Sequence, residues 1–590
     1  MKRYLITTAD ERSWKFDRPV LFLGEWCRVY ERRHVWEKMD AQVAAPYGLA
    51  PIQKGRDLAY VHSLSSQLLS ECTVALNRFH GTEHSQRYWQ IVIGQWLQRY
   101  VAIAFNRFAT LEQALETHEV SGTTVFEPNS YSLATNDSLD FIWASNDDEW
   151  NHVFYADVLR FLETVATDVD SAALRGKPGF IQPVNHRPHA KPSGKDYVIS
   201  AASRLLPRLA RKGDAFITNT YLPPRVEARL EMSLGQSPQF WKREPVRIVA
   251  PDAQLRAAFP LDEGDQTGFE RFVRRQLSKV IPTCYLEGYR DLVAQTRHLP
   301  WPATPRFIFT SNNFDTDEPF KAWTAAKVEE GIPYFTGQHG NNYGTLRGSE
   351  KWTELVTPDA FYTWGWTNGS SKNVPAFLFK IAGRKRPNPD PKGGLLLIEL
   401  PLTHRITPED SYYEFGLYQE DQFKFVSALP ERIREELTVR LHPGSRQTRW
   451  SDETRWADRS PGVPVEAGNV NILRLLEQNR LVVHSYDSTG ILETLAWNIP
   501  TLCFWQNGLD HLLPTAKPFY ELLREAGIVA DTPEQAAALV DSRWDNIAEW
   551  WHSAQVQDAR TTFCAEYART ERRPVLTLRR LLLSRATGKR

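Results

Sequence analysis

The sequence predicts an α/β protein built on parallel sheets, in two units joined by a proline-rich linker. From about residue 215 onward, short β-prone runs alternate with helical patterns, and that rhythm makes parallel sheets through right-handed crossovers. Residues 383–394 read Gly-Arg-Lys-Arg-Pro-Asn-Pro-Asp-Pro-Lys-Gly-Gly, three prolines alternating with polar residues, which is linker composition. The apolar run Leu395-Leu396-Leu397-Ile398-Glu399-Leu400 follows at once and reads as a fully buried strand, so a new unit starts there. The length of 590 residues leaves room for two to four domains at roughly 100–200 residues each.

In chain order, Arg3–Thr7 and Pro19–Gly24 are the first two strands, separated by the polar loop Thr8 to Trp14. Open α/β sheets bind ligands off the carboxyl ends of their strands, which is where that loop lies. Residues 60–170 read as mainly helical. Tyr88 to Phe108 keeps apolar residues at helical spacing, and Asn146-Asp147-Asp148-Glu149 opens a helix through Phe161. Residues 183–197 read as an exposed loop, and Ser203 to Lys212 as a basic helix with a solvated or headgroup-facing side. Strands follow at Ala215–Asn219, Arg306–Thr310 and Ile332–Thr336, with a helix over Glu318–Glu330. Beyond the linker come strands at Leu437–Leu441, Leu481–His484 and Thr501–Phe504. The tail from about 560 to 586 is helical and basic.

Lys plus Arg equals Asp plus Glu, 71 each, so the net charge is zero. That argues against a duplex nucleic-acid binder, which needs a phosphate-neutralising excess of base. Composition is that of a soluble globular chain, with no apolar run of about 18 residues and no signal peptide. The five cysteines form no CxxC pair and read as free thiols in a reducing cytosol. HExxH, GxxxxGK[ST] and GxSxG are missing, which lowers zinc hydrolysis, P-loop ATP hydrolysis and serine-elbow acyl transfer.

Three polar clusters each follow an expected strand. In Val483-His484-Ser485-Tyr486-Asp487-Ser488-Thr489-Gly490-Ile491-Leu492-Glu493, a strand ends and a hydroxyl/glycine turn opens a helix. Free N–H groups and the positive helix end there favour an anion such as phosphate, with Ser488 and Thr489 as hydroxyl donors and Glu493 set to accept from ribose hydroxyls. An ordinary helix cap is the competing reading. In Arg440-Leu441-His442-Pro443-Gly444-Ser445-Arg446, His442 with Arg440 and Arg446 can stabilise a departing phosphate; a turn with surface arginines competes. His442 and Ser485 close two strands of one sheet and are expected to converge on one crevice.

In Thr336-Gly337-Gln338-His339-Gly340-Asn341-Asn342-Tyr343-Gly344, His339 sits between glycines and suits a general base; a structural histidine is the alternative. Asp10 and Glu11 are the other base candidates, unless they pair with Arg12. Asp315-Thr316-Asp317 has the DxD pattern of a metal–diphosphate site, but before Glu318-Pro319 it looks more like a helix cap.

Ile6 to Arg12, Ala75-Leu76-Asn77 through Arg87-Tyr88-Trp89 to Gly94-Gln95-Trp96-Leu97, and Gln338-His339-Gly340 together resemble transferases encoded in bacterial O-antigen and surface-polysaccharide clusters. The second half is also similar to the donor domain of GT-B glycosyltransferases. Within that class it looks closest to CMP-sugar (Kdo and sialyl) transferases and CDP-alditol phosphotransferases. His442-Pro443 and the turn with Ser485, Ser488 and Thr489 match the former; His339-Gly340 matches the latter.

The resemblance implies a GT-B-like fold, two Rossmann-type domains facing across a cleft. Residues 1–383 form the acceptor side with a helical insertion at about 60–170. Residues 384–394 are the linker, 395–560 bind the nucleotide-sugar, and 561–590 form a helical tail packing back on the first domain. It further implies a metal-independent cytoplasmic glycosyltransferase with no cofactor beyond its nucleotide-sugar substrate, a cytidine nucleotide being favoured. The acceptor is a glycan or lipid-linked glycan of a surface polysaccharide, with peripheral inner-membrane contact as an option and no nucleic-acid partner. His339, Asp10 or Glu11 takes the acceptor proton. Arg440, His442, Pro443, Arg446, Ser485, Ser488, Thr489, Gly490, Glu493 and Gln338 bind substrate. A nucleotide-sugar epimerase of the same fold, a CDP-alditol phosphotransferase and a non-catalytic glycan-binding polysaccharide-assembly protein are the alternatives.

Overall fold

The computed structural model describes residues 2–127, 131–170, 210–241, 243–259, 261, 266–402, 407–410 and 414–587. The expected loop 183–197 and most of the expected basic helix, 203–209, lie outside them.

Three parallel sheets organise the chain, where the sequence predicts two. The first holds β1 (Arg3–Ile6), β2 (Val20–Phe22), β3 (Ala41–Val43), β4 (Val120–Phe126) and β5 (Thr167–Asp170), in the order β3-β2-β1-β4-β5. The second holds β6 (Phe216–Thr218), β7 (Ile308–Thr310), β8 (Tyr334–Gly337), β9 (Ala360–Thr363) and β10 (Asn373–Pro375), laid side by side in chain order. The third holds β11 (Gly394–Ile398), β12 (Leu437–Arg440), β13 (Val465–Glu466), β14 (Asn479–His484), β15 (Thr501–Phe504) and β16 (Val529–Ala530), in the order β13-β12-β11-β14-β15-β16. This last is the Rossmann order 3-2-1-4-5-6, with its switch point between β11 and β14.

The stretch expected as a helical insertion supplies two long helices, Pro51–His80 and Gln86–Thr117, but also β4 and β5 of the first sheet. β4 reads Val-Ser-Gly-Thr-Thr-Val-Phe and is buried on both faces from Gly122 on, so it lacks the alternation that marks a half-exposed strand. The Gln86–Thr117 helix starts where the Ser85 hydroxyl accepts from the Tyr88 N–H. It is buried around nearly its whole circumference, being packed between the first and second sheets.

One apolar core joins the second and third units. It runs from Phe309, Phe335 and Phe361 to Leu396 and Val482, and takes in the C-terminal helices Ala554–Tyr567 and Pro574–Ala586. The last helix reaches the second unit, where Arg579 donates to the Ser233 carbonyl at 2.9 Å and Tyr362 donates to the Leu581 carbonyl at 3.2 Å. No helix among the described residues is long and apolar enough to cross a membrane.

Candidate active site

The carboxyl ends of the second and third sheets face each other across a cleft of about 570 Å³. The turn after β8 contributes His339 to Tyr343, the segment after β7 contributes Asn312, Phe314 and Asp315, and the turn after β14 contributes Tyr486 to Thr489. The Gln86–Thr117 helix closes the side with Gln95, Gln98 and Arg99, at i, i+3 and i+4 on one face.

His339 is the best-defined group here. Its Nδ1 lies 2.9 Å from the Tyr343 hydroxyl, and that hydroxyl donates to Glu354 Oε1 at 2.8 Å. Glu354 Oε2 accepts from Gln95 at 3.1 Å. Burial pulls the His339 pKa down to about 4 against the opposing pull of Asp315, so the imidazole is neutral near pH 7. Burial pushes Glu354 up to about 7. The turn is tight by construction. Gly344 has φ +72°, and a Cβ there would lie 2.4 Å from Trp366.

The turn after β14 meets the turn after β8 directly. Thr489 Oγ1 accepts from the Asn341 N–H at 3.0 Å, and Asp487 accepts from Asn341 Nδ2 at 2.7 Å. Asp487 also accepts from Tyr520 and lies 3.1 Å from His511 Nε2. Ser488 caps the Thr489–Ala496 helix by accepting from the Ile491 N–H. Gly490 provides room, since a Cβ there would sit 2.7 Å from the ring of His484, whose pKa burial drives to about 3. Glu493 forms a 2.6 Å ion pair with Lys380 of the second unit.

Other expected site residues stand elsewhere. Ser485 is buried, donating to the Ile398 carbonyl at 3.1 Å and bonded to the Tyr418 hydroxyl at 2.7 Å. His442 is exposed, and its Nδ1 accepts from the Gly444 N–H. The expected convergence of these two is therefore not found. β11 lies between their strands, and Tyr418 and the buried Glu399 occupy the switch point. Arg440 lies 3.6 Å from Glu466, and Pro443 packs on Gly468, where a Cβ would approach within 2.5 Å.

Arg446 forks onto Glu453 and lines a second cleft of about 370 Å³ between the first and third units. Gln338 is a clasp rather than a free ligand. Its Oε1 accepts from the Trp364 N–H and Trp366 Nε1, and its Nε2 donates to the Gly340 carbonyl. Asp10 caps the Glu11–Ser13 turn and pairs with Arg12, and Glu11 pairs with Arg32. Arg12 outweighs burial at Asp10, and Arg32 acts on Glu11, so both carboxyls are held below their usual range. Neither lines the 570 Å³ cleft.

The DxD carboxylates diverge. Asp315 pairs with Arg99 at 2.8 Å, and Asp317 caps the Glu318–Glu329 helix by accepting from Phe320 N–H. Among the described residues no group of three or more His, Cys, Asp or Glu has the geometry to hold a metal ion.

Sequence reasoning passed over Arg99, Glu354, Lys380 and Asp487. The polar triplet Gln95, Gln98, Arg99 inside an apolar helix was the available signal for the first.

A neutral histidine at the mouth of opposed parallel sheets, facing a capped helix turn, makes this cleft the candidate active site of an α/β protein. The chain belongs to the LIC12162 family of transferases, whose family model matches residues 3–582. No curated protein sequence matches it. Among solved structures it is similar to a glycotransferase of kitacinnamycin, at 14% identity over 50% of this chain and 81% of that one, TM-score 0.30. It is similar also to Acinetobacter baumannii MurG, at 12% over 51% and 78%, TM-score 0.31. A third is the S. aureus MnaA–UDP complex, at 12% over 59% and 91%, TM-score 0.32.

Proposed function

We propose that the chain is a GT-B-like glycosyltransferase that moves a sugar from a nucleotide donor to a glycan hydroxyl in the cleft between the second and third sheets. The single observation that carries this reading is His339: a neutral imidazole on the cleft wall, its Nδ1 engaged and its Nε2 without a hydrogen bond among the described residues. In the reaction, Nε2 takes the acceptor hydroxyl proton, the acceptor oxygen bonds to the anomeric carbon, and the bond from that carbon to the phosphate oxygen breaks. The bond-pair electrons leave with the nucleotide.

The nucleotide lies along the carboxyl edge of the third sheet. Its phosphate is nearest the Ser488–Gly490 turn and the start of the Thr489–Ala496 helix, which favours negative charge. Its base reaches toward His442. The Rossmann strand order supports that placement. A cytidine nucleotide is the donor favoured, no metal takes part, and the acceptor is a surface-polysaccharide glycan, free or lipid-linked.

Thermal shift against CMP, CDP, UDP and GDP, followed by turnover of the matching nucleotide-sugars in EDTA, tests the reading, because ligands of the folded state raise its melting temperature. The expected result is stabilisation by one nucleotide family and acceptor-dependent, chelator-insensitive release. Glycan binding with no nucleotide binding would replace the enzyme with a scaffold. Donor isomerisation without acceptor would replace the transferase with an epimerase.

A further inference from the structure

We infer that Tyr343 and Glu354 are positioning residues that fix the tautomer of His339, leaving Nε2 as the proton acceptor toward the cleft. The inference rests on the reading of His339 as base, and it deepens that reading.

The geometry allows one arrangement when Glu354 is ionised. The Tyr343 hydroxyl has a single proton, and it lies 2.8 Å from a carboxylate oxygen and 2.9 Å from His339 Nδ1. The charged acceptor wins that proton. The phenol oxygen then has only lone pairs to offer the ring, so Nδ1 must carry the hydrogen and Nε2 must not. Once Nε2 has taken a proton, the imidazolium is stabilised through the same chain, Nδ1–H to the phenol oxygen and phenol O–H to the carboxylate. The chain is anchored from a different part of the molecule, since Gln95 of the Gln86–Thr117 helix donates to the second oxygen of Glu354. Burial and the adjacent Glu354 keep the phenol protonated, its pKa raised far above the usual value.

Protonating Glu354 reverses the preference. A neutral carboxyl can donate to the phenol oxygen, the phenol can then donate to Nδ1, and the hydrogen moves to Nε2, where it blocks proton uptake. Glu354 titrates about 7, so the productive tautomer fills as pH rises through that value. The other groups facing this pair are Asp315, which raises both; Lys380 near His339; Arg99, whose partners are Asp315 and the nearby Glu409; and Tyr334 beneath Glu354. The Asp315–Arg99 pair keeps its charges through neutral pH, since burial alone opposes ionisation of Asp315 and Arg99 holds its carboxyl down.

The test begins without substrate. Nitrogen-15 chemical shifts of labelled histidine, assigned by loss of the signal in His339→Gln, report the tautomer between pH 5.5 and 8.5. Wild type is expected to pass from Nε2–H to Nδ1–H across pH 7, Tyr343→Phe to stay mixed throughout, and Glu354→Gln to show no step. Turnover of CMP-N-acetylneuraminate and UDP-N-acetylglucosamine is then compared. Tyr343→Phe is expected to lower kcat about 10- to 100-fold with donor KM within twofold, and Glu354→Gln to flatten the pH profile near 7. An unchanged tautomer in Tyr343→Phe, or wild-type kcat there while His339→Gln is inactive, overturns the relay alone. Full turnover in His339→Gln with the tautomer step intact overturns the base assignment and leaves the coupling of the three residues standing.

Discussion

The third unit meets its neighbours across two clefts, and they differ in what their polar groups are doing. In the smaller, against the first unit, the cations are paired off. Arg446 forks onto Glu453, and Arg449 meets Asp148 at 2.6 Å. In the larger, against the second unit, several buried or half-buried groups keep an open valence. Among the described residues His339 Nε2 has no hydrogen-bond partner, Arg99 Nη1 has none, and neither does Asn342 Oδ1. An unsatisfied polar atom in a buried wall costs free energy, so each of these is a group that a bound ligand would satisfy. Charge pairing does not separate the two clefts, since the larger also pairs Arg99 with Asp315 and Lys380 with Glu493; what separates them is the unpartnered polar atoms on the wall of the larger.

The largest effect that can break this contrast is loss of the base. His339→Gln is expected to reduce turnover by about 10²- to 10⁴-fold, the range for removal of a positioned acid–base group, with donor affinity within a few-fold. Arg446→Ala in the smaller cleft should leave turnover within twofold. Equal losses from both, in steady-state assays of folded variants, would erase the distinction.

Next comes the seam that forms the larger cleft. Asp487 is buried and accepts from Asn341 and Tyr520, with His511 beside it. Asp487→Ala strands those donors and is expected to cost about 3–5 kcal/mol in urea unfolding, in the range for breaking a buried charged network. A cost under about 1 kcal/mol would mean that the seam is wet and the cleft not preorganised.

A paired substitution sharpens the comparison at the level of single cations. Arg99→Met leaves the Asp315 carboxylate, whose side chain is 26% exposed, without its counterion, and about 1–3 kcal/mol of stability should be lost. Arg449→Met removes a cation whose side chain is 42% exposed, so at most about 1 kcal/mol is expected. Raising salt should erase the second effect and spare most of the first. The reverse salt dependence would show that the Arg99 pair is solvated.

These contrasts also mark what the sequence could show. The strands that flank the site were legible because they are short apolar runs ending in polar turns; Thr501–Phe504 coincides with β15, and Leu437–Leu441 overruns β12 by one residue. The first sheet was legible only at β1 and β2, because β4, with Gly122 and three hydroxyl residues, resembles neither an alternating strand nor an aliphatic run. His339 stood out between its glycines. Gln338 beside it was equally prominent, yet its partners Trp364 and Trp366 lie more than 25 residues further on, and no local pattern reveals that they occupy it. Glu354 and Arg99 were hidden for the same reason. Their significance lies in contacts made across units, Glu354 through Tyr343 and Gln95, and Arg99 through Asp315 from the middle of an apolar helix. Ser485 shows the converse, since a residue in the right motif has its hydroxyl turned inward to Tyr418.

The smallest effect concerns how far the nucleotide extends along the third sheet. The ends of β12 and β14 are two strands apart, roughly 10 Å at the usual interstrand spacing, which a nucleoside can span from a phosphate at the Ser488–Gly490 turn. His442 is exposed and has Nδ1 engaged by its own turn, leaving Nε2 for one hydrogen bond in contact with water. Such a bond contributes about 0.5–1.5 kcal/mol, so His442→Ala should weaken CMP or CDP binding about two- to twelvefold by calorimetry and leave Arg446→Ala indistinguishable from wild type. Unchanged affinity in both would confine the nucleotide to the cleft of His339. A loss in Arg446→Ala that exceeds the loss in His442→Ala would move it toward the smaller cleft and overturn the assignment of that cleft as a paired, structural one.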